Sequence, residues 1–529
     1  MLPAEDRSKF IQIAGFEVRY ADAAFFPAVF VFLYLHLFLV PFTPIYYEMD
    51  HVALLNDAKR MYEGEVLYRD FFDFTFPGSH SLYWALFSVF GSKYALANVV
   101  ILLHGMAAAW LSLLISRKVI ADNIYAYLPP AIYIFFGFRW FGIDGEHRML
   151  SPIFTILAIF FLIDKRTYGR IAVAGISCAF ASFFTQQRGV LAAAAIGIFL
   201  SIEIGLRSRD WGRFVKSGLV LNFSFFACLM LLLLPFILAA GADRFYESTI
   251  LFLSSYVEDS SENNFYTFLS TLAKIRSFGT LVTIVAVFYH ALVPAIYGVS
   301  LIFLWRWRKD PLVKHKESFL LVVLLGIFLA VGTLAPNTFR VYQIALPAVI
   351  TLIWLIYNIK FRSVIFAKAA IILLIVFGLA LGLRLQSVWD PKILTTPSGH
   401  LAFTSPVVLE RYEWLLENAD PGDLVYETYN SHVNFPLNLR NPSRISILLN
   451  SGYTPPEQVK QAIDDLKTSK ARYIIWDGSW TKEMDSLGPD EKLKPFYLFL
   501  TSNYRLRQKF TPYDLRDREI WERIDSGGN

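Results

Sequence analysis

Cysteine is nearly absent. The 529 residues hold only Cys178 and Cys228, both inside apolar runs, which excludes a disulfide framework and offers no redox pair. Charge is also sparse: Asp, Glu, Lys and Arg make up 18% of the chain, against about 25% in soluble domains. No glycine-rich nucleotide fingerprint, no metal-ligand spacing, no internal repeat and no low-complexity linker is present. Nothing points to a nucleic-acid partner. Apolar residues dominate instead, at 55% with a mean hydropathy of +0.44. Apolar stretches of about 18 residues or more recur, each long enough to cross a bilayer.

Eleven spans are expected, at about 23–45, 94–116, 124–138, 149–163, 170–185, 189–206, 217–240, 279–304, 318–335, 341–359 and 365–388. The first lacks a small-residue cleavage site and reads as a retained signal-anchor. Basic residues orient the set. Arg117 and Lys118, then Lys165, Arg166 and Arg170, then Arg207, Arg209, Arg213 and Lys216 all fall on one side. Arg306, Arg308, Lys309, Lys314 and Lys316 join them, as do Lys360, Arg362 and Lys368. By the positive-inside rule that side is cytoplasmic, with the N-terminus, in a bacterial-type inner or plasma membrane. The loop 46–80, the turns at 145–148, 186–188 and 336–340, and the loop 241–277 then face outward. The odd number of spans also puts the C-terminus outside.

From about Asp390 the composition becomes that of a soluble domain. An amphipathic helix over 405–419 and a turn at Asp420-Pro421-Gly422-Asp423 precede a strand at 424–428. Helices at 456–468 and 491–502 alternate with strands at 472–476, 506–510 and 518–524, a small α/β domain. The expected division is therefore a membrane catalytic domain over 1–389 and an extracytoplasmic α/β domain over 390–529.

Between the first two spans lies a loop rich in carboxylates: Glu48, Asp50, Asp57, Glu63, Glu65, Asp70 and Asp73. Asp50 heads Val52, Leu55, Ala58 and Tyr62 at near-helical spacing, ending at Gly64, which describes a short amphipathic helix on the membrane surface. Asp50 is either the cap of that helix or a carboxylate placed to take a proton from an acceptor hydroxyl, and Glu48 can play either part. Asp70 and Asp73 stand among aromatics before Phe76-Pro77-Gly78 and are expected to shape the loop, with Asp57, Glu63 and Glu65 facing solvent.

The outward turns supply the opposite charge: Gly145-Glu146-His147-Arg148, Gln186-Gln187-Arg188-Gly189 and Pro336 to Gln343, which includes Arg340 and Tyr342. Arginine on this side is disfavoured by the topology rule. Each one either snorkels to headgroup phosphates or converges with the others on an anionic ligand, since guanidinium pairs bidentately with phosphate. Arg139 reads as an anchor. His104 and His290 lie within spans, where histidine more often bonds a neighbouring helix. No charged residue occupies the middle of a span, which weighs against ion-coupled transport.

Taken together, the acidic Glu48-Met49-Asp50 after the first span, Tyr68-Arg69-Asp70-Phe71, Phe76-Pro77-Gly78 with Leu82-Tyr83-Trp84, Gln187-Arg188-Gly189, and Arg340 with Tyr342, Gln343 and Pro347 resemble the GT-C glycosyltransferases. The likeness is to the branch holding protein O-mannosyltransferases, lipid A aminoarabinose transferases and arabinosyltransferases. Two departures stand out: the acids are Glu-x-Asp rather than an adjacent pair, and Gln343 stands where a histidine is frequent. The resemblance implies a polytopic α-helical membrane enzyme that takes a sugar from a polyprenyl-phosphate donor. The acceptor hydroxyl belongs to a glycolipid, polysaccharide or protein. It implies Asp50 or Glu48 as general base and Arg148, Arg188, Arg340 and His147 around the donor phosphate. Asp70, Asp73, Glu146, Gln187, Tyr342 and Gln343 would line the substrate. No fixed metal is required, and a divalent ion, magnesium or manganese, stays open. The competing readings are a lipid-linked glycan flippase or transporter, a non-catalytic membrane scaffold whose outer domain binds a partner, and a glycan ligase or polymerase of related architecture.

Overall fold

The computed structural model describes residues 10–13, 16–254, 280–306, 316–333, 336–358, 363–387, 391–450, 454–511 and 517–524. Among these, six helices of 18 residues or more are apolar enough to cross a membrane: Tyr20–Leu37, Ala95–Val119, Gln186–Arg207, Trp211–Ala240, Leu281–Arg306 and Val364–Ser387. Shorter apolar helices, His147–Leu162, Tyr168–Phe184, Lys316–Val331 and Leu346–Asn358, lie among them. The protein is an integral membrane protein. Most of the loop expected over 241–277, and Arg308, Lys309, Lys314, Lys360 and Arg362, lie outside the described residues.

Local chemistry sets the helix ends. Asp210 caps Trp211–Ala240 by accepting from the Arg213 backbone N–H, and Gly241, at φ +90°, ends it. The first helix stops at Leu37, short of the expected residue 45. Pro41 and Pro44 lack the N–H groups a helix needs, and the chain turns through a hairpin pairing Phe38–Leu39 with Thr43–Pro44. The segment expected as a span over 124–138 is not one regular helix. It begins as a 3₁₀ turn, Ile124–Tyr127, and becomes a π-helix over Ile132–Phe138. A further helix, Gly78–Phe90, follows the first loop. It packs so closely on Tyr168–Phe184 that a Cβ on Gly78 would sit 2.6 Å from the Phe183 carbonyl oxygen.

The amphipathic helix of the first loop forms over Asp50–Tyr62, but Met49 holds the cap position and Asp50 is its first residue. It does not lie free on a surface. Val52, Leu55, Ala58, Asn56, Asp57 and Arg60 are all buried, because the helix packs between Gly78–Phe90 and the C-terminal domain. Asp57 is therefore not the solvent-facing acid expected from the pattern.

The C-terminal domain carries a four-stranded sheet in the order Val425–Glu427, Tyr473–Asp477, Arg518–Arg523, Tyr504–Phe510. The first pair is parallel and the others antiparallel, with Val425 opposite Tyr473 and Ile520 opposite Ile475. Helices Pro406–Asn418, Pro456–Ser469 and Lys494–Asn503 accompany it. Backbone bonds stitch this domain to the first loop: Tyr46 N–H donates to the Ala402 carbonyl (2.8 Å) and Phe72 N–H to that of Arg444 (2.9 Å). One apolar cluster then joins Tyr46, Val52, Leu55, Tyr83 and Phe87 to Phe403, Leu409, Tyr412 and Val433. Burying each such side chain contributes about 1.5–3 kcal/mol, so loop and domain are held as one body.

Candidate active site

Between the first loop, the turn before His147–Leu162 and the C-terminal domain lies a cavity of about 290 Å³. Asp50, Asp57 and Asp73 line it from the first loop, Glu146, His147 and Arg148 from the turn, and Arg340 from the start of the Thr338–Gln343 helix. Tyr429, Asn430, Ser446 and Thr454 close it from the C-terminal domain. A smaller cavity of about 60 Å³ adjoins it, sharing Phe74, Thr75, His147, Arg148 and Arg340 and adding Gln186, Gln187 and Arg188. Three arginines far apart in sequence thus line one space.

The walls are tied together below the cavity. Arg148 Nη1 lies 2.7 Å from Glu146 Oε2 and 3.4 Å from Asp50 Oδ2. Arg188 is buried and donates to the Arg148 carbonyl, to Ser151 Oγ (3.1 Å) and to Gln343 Oε1 (2.9 Å). Gln343 in turn donates to Glu146 Oε1 at 3.1 Å. An amide suits this place because it accepts from a cation and donates to an anion at once. Close approach holds the turn: Tyr83 Oη donates to the Gly145 carbonyl (3.0 Å) and fills the space a Cβ on Gly145 would need.

Glu48 faces elsewhere. Its carboxylate lies 2.6 Å from Arg411 Nη2 and 3.4 Å from His432 Nδ1, at the edge of a separate cavity of about 370 Å³. Burial there favours the neutral acid, but the Arg411 guanidinium outweighs it and holds Glu48 well below the usual carboxylate range. Asp70 accepts from the Val66 N–H and pairs with Arg69, and lines neither of the cavities that hold the arginines. Tyr342 is fully buried, stacked on Tyr133 at 4.6 Å, and likewise lines neither. Arg139 stands over the rings of Tyr47 and Trp140.

Several lining or supporting residues stand outside the motifs visible in the sequence. Asp144 stands one residue before the motif singled out there, and a wider window would have shown its Asp-x-Glu spacing with Glu146. His80 contacts Asp73 at 3.0 Å and Asp57 at 3.8 Å. Burial alone would depress this imidazole, but the two carboxylates override it and raise His80 to about 9. Tyr429 and Asn430 lie nearly 400 residues from Asp50 in sequence, beyond any local pattern.

Which residues suit a metal follows from their compensation. Glu48, Glu427 and His432 already contain Arg411 as counterion, and Asp57 and Asp73 contain His80. Asp50, Asp144 and Glu146 bring three carboxylates within 4.8 Å, with Arg148 as the counterion of Asp50 and Glu146. Burial, reinforced by the neighbouring Glu146 and Asp50, pushes Asp144 far above the carboxylate range. Its partner His51, 3.0 Å away, is driven down to about 4 by burial. An oxygen-only donor set of three carboxylates fits a hard divalent cation.

No family model matches the chain, and no curated protein sequence does. Solved structures do. ArnT from Cupriavidus metallidurans bound to undecaprenyl phosphate superposes with a TM-score of 0.56 at 11% identity, covering 96% of this chain and 98% of its own. The archaeal oligosaccharyltransferase AglB from Archaeoglobus fulgidus, in complex with an inhibitory peptide and a dolichol-phosphate, gives 0.51 at 13% identity, covering 92% and 73%. Both have the GT-C architecture. This chain has the GT-C fold. The match to ArnT runs over nearly the whole length of both chains, while so few residues are shared that only the architecture is in common.

Proposed function

We propose that the chain is a membrane glycosyltransferase that moves a sugar from a polyprenyl-phosphate carrier to an acceptor hydroxyl at the outer face of the membrane. The observation that carries this reading is the meeting of an acid with three arginines: Asp50, Arg148 and Arg340 line the larger cavity, and Arg188 lines the smaller one that adjoins it. The lipid-phosphate ligands of the two structural neighbours are consistent with it.

In this reading Asp50 is the general base. It takes the proton of the acceptor hydroxyl, whose oxygen attacks the anomeric carbon as the bond to the carrier phosphate breaks, inverting that centre. The leaving phosphate needs no protonating acid, only positive charge; Arg148 and Arg340 face it, with His147 beside them. Arg188 acts through them, fixing the Arg148 backbone and Gln343. Gln187 and Asp73 line the wall. A magnesium- or manganese-class ion, held by Asp144 and Glu146 with Asp50, would add charge beside the leaving phosphate. Glu48 is left as a positioning residue.

The test is transfer of a labelled sugar from polyprenyl phosphate by the full chain in nanodiscs. Asp50→Asn is expected to lower the rate about 10²–10⁴-fold, the range for loss of a general base, with unchanged melting. Wild-type turnover by that variant would remove Asp50 from the role.

A further inference from the structure

The cavity of about 370 Å³ that holds Glu48 has no part in the chemistry above. It lies where the start of the first loop, the start of the Pro406–Asn418 helix and the strand ends at Phe510 and Arg518 meet. Tyr429 lines both this cavity and the one containing Asp50, so a molecule seated here is one side chain from the reacting centre. We propose that it is an acceptor subsite that binds a neutral sugar ring, making the acceptor a glycan. This rests on the transferase reading for its role, though not for the binding itself.

Charge decides the class of ligand. Arg411 is matched by Glu48 at 2.6 Å and Arg518 by Asp477 at 2.9 Å, while Glu427 lies 3.8 Å behind His432. Two guanidiniums thus face three carboxylates, leaving no surplus positive charge for a phosphate or carboxylate ligand. Hydrogen-bonding capacity nevertheless remains. Thr404, Ser405, Tyr429 and His432 line the cavity beside Glu48, Arg411 and Arg518. Donors and acceptors side by side suit hydroxyl groups, which serve as both. Tyr47, Phe403, Tyr429 and Phe510 supply apolar faces among these polar groups, the mixture a pyranose presents. The volume admits one ring with its substituents.

The test uses the full chain in nanodiscs and ligand-observed NMR. The probes are the methyl glycosides of glucose, galactose and mannose, N-acetylglucosamine, and methyl phosphate, each at millimolar concentration. At least one neutral sugar is expected to bind. Thr404→Trp, which fills the cavity from a partly exposed bend, is expected to weaken that binding at least about ten-fold, equivalent to 1.4 kcal/mol, with melting unchanged. The paired variant Glu48→Gln/Arg411→Met, which removes both charges together, is expected to weaken it as well. Absence of binding by every sugar, binding that survives both variants, or displacement of the sugar by methyl phosphate would each overturn the proposal. Asp50→Asn separates the two readings: it is expected to keep sugar binding while losing transfer. If Asp50→Asn instead transfers normally, the catalytic assignment falls and the sugar result stands on its own.

Discussion

Replacing Glu48 by glutamine separates the two acids that lie two residues apart at the entrance to the first loop. Arg411, 3% exposed, loses the carboxylate 2.6 Å away and keeps only Glu427 as a distant counter-charge. Breaking a buried pair from one side typically costs about 3–5 kcal/mol. The Glu48 side chain is one-fifth exposed to its cavity, so water can enter beside the stranded guanidinium, and the lower end, about 3 kcal/mol, is expected. Glu48→Gln should therefore melt several degrees lower while turning over at saturating acceptor within about ten-fold of wild type. Glu48→Gln/Arg411→Met, lacking both charges, should recover most of that loss, a coupling readable in a double-mutant cycle. The assay pairs a melting curve with transfer kinetics on the same preparation. A Glu48→Gln enzyme with unchanged melting and turnover as low as Asp50→Asn would refute the reasoning and make Glu48 the base.

Gly145→Ala should cost about 1–3 kcal/mol by forcing Tyr83 from the Asp144–Glu146 turn, and should lower transfer more than stability, measured side by side. Arg188→Lys keeps the charge but loses the fork that reaches Arg148, Ser151 and Gln343. Its effect on the transfer rate should be non-additive with Gln343→Ala by about 0.5–3 kcal/mol, and simple additivity would show that the network is not a unit. His80, raised to about 9 from an unfolded value near 6.5, stabilises the fold fully below pH 6.5 and loses that contribution as pH rises through 9. Melting should accordingly fall between those pH values by the equivalent of about 3 kcal/mol, and His80→Gln should flatten the profile. Chelator treatment should lower transfer and manganese restore it, with Asp144→Asn blunting both responses; chelator-insensitive turnover would exclude the ion from the reaction.

Much of the fold was legible because its signals are local. Apolar runs of bilayer length, and the alternation after residue 391, recover the helices near 406–418 and 456–469 and the strands near 473–477 and 518–523. The Asp50–Tyr62 helix was equally readable from its spacing, but its surroundings were not. A half-polar helix reads as surface-bound unless one knows that a domain hundreds of residues later will cover it. Asp57, expected to face solvent, is instead buried beside His80, a partner it meets only when the helix of the first loop packs near the start of Gly78–Phe90. Pro129-Pro130 stood in plain view inside the segment expected as one span, and the irregular helix there shows that hydropathy alone overlooks such breaks. The arginines at 148, 188 and 340 were visible as exceptions to a topology rule, whereas their common cavity is a property of tertiary packing. Tyr342 shows the reverse: its neighbour Gln343 meets Arg188, while Tyr342 itself turns into the aromatic core.

The contact between Glu48 and Arg411 joins residues 363 positions apart. The chamber around Asp50 likewise takes one wall from residues 429–458. During synthesis the membrane helices are inserted long before that wall exists, so a nascent chain carries its acid and its arginines in an open trough. In the reading proposed above, the chamber is therefore closed only once residues 429–458 have emerged and docked, and a product ending before them would carry the acid and the arginines without that wall.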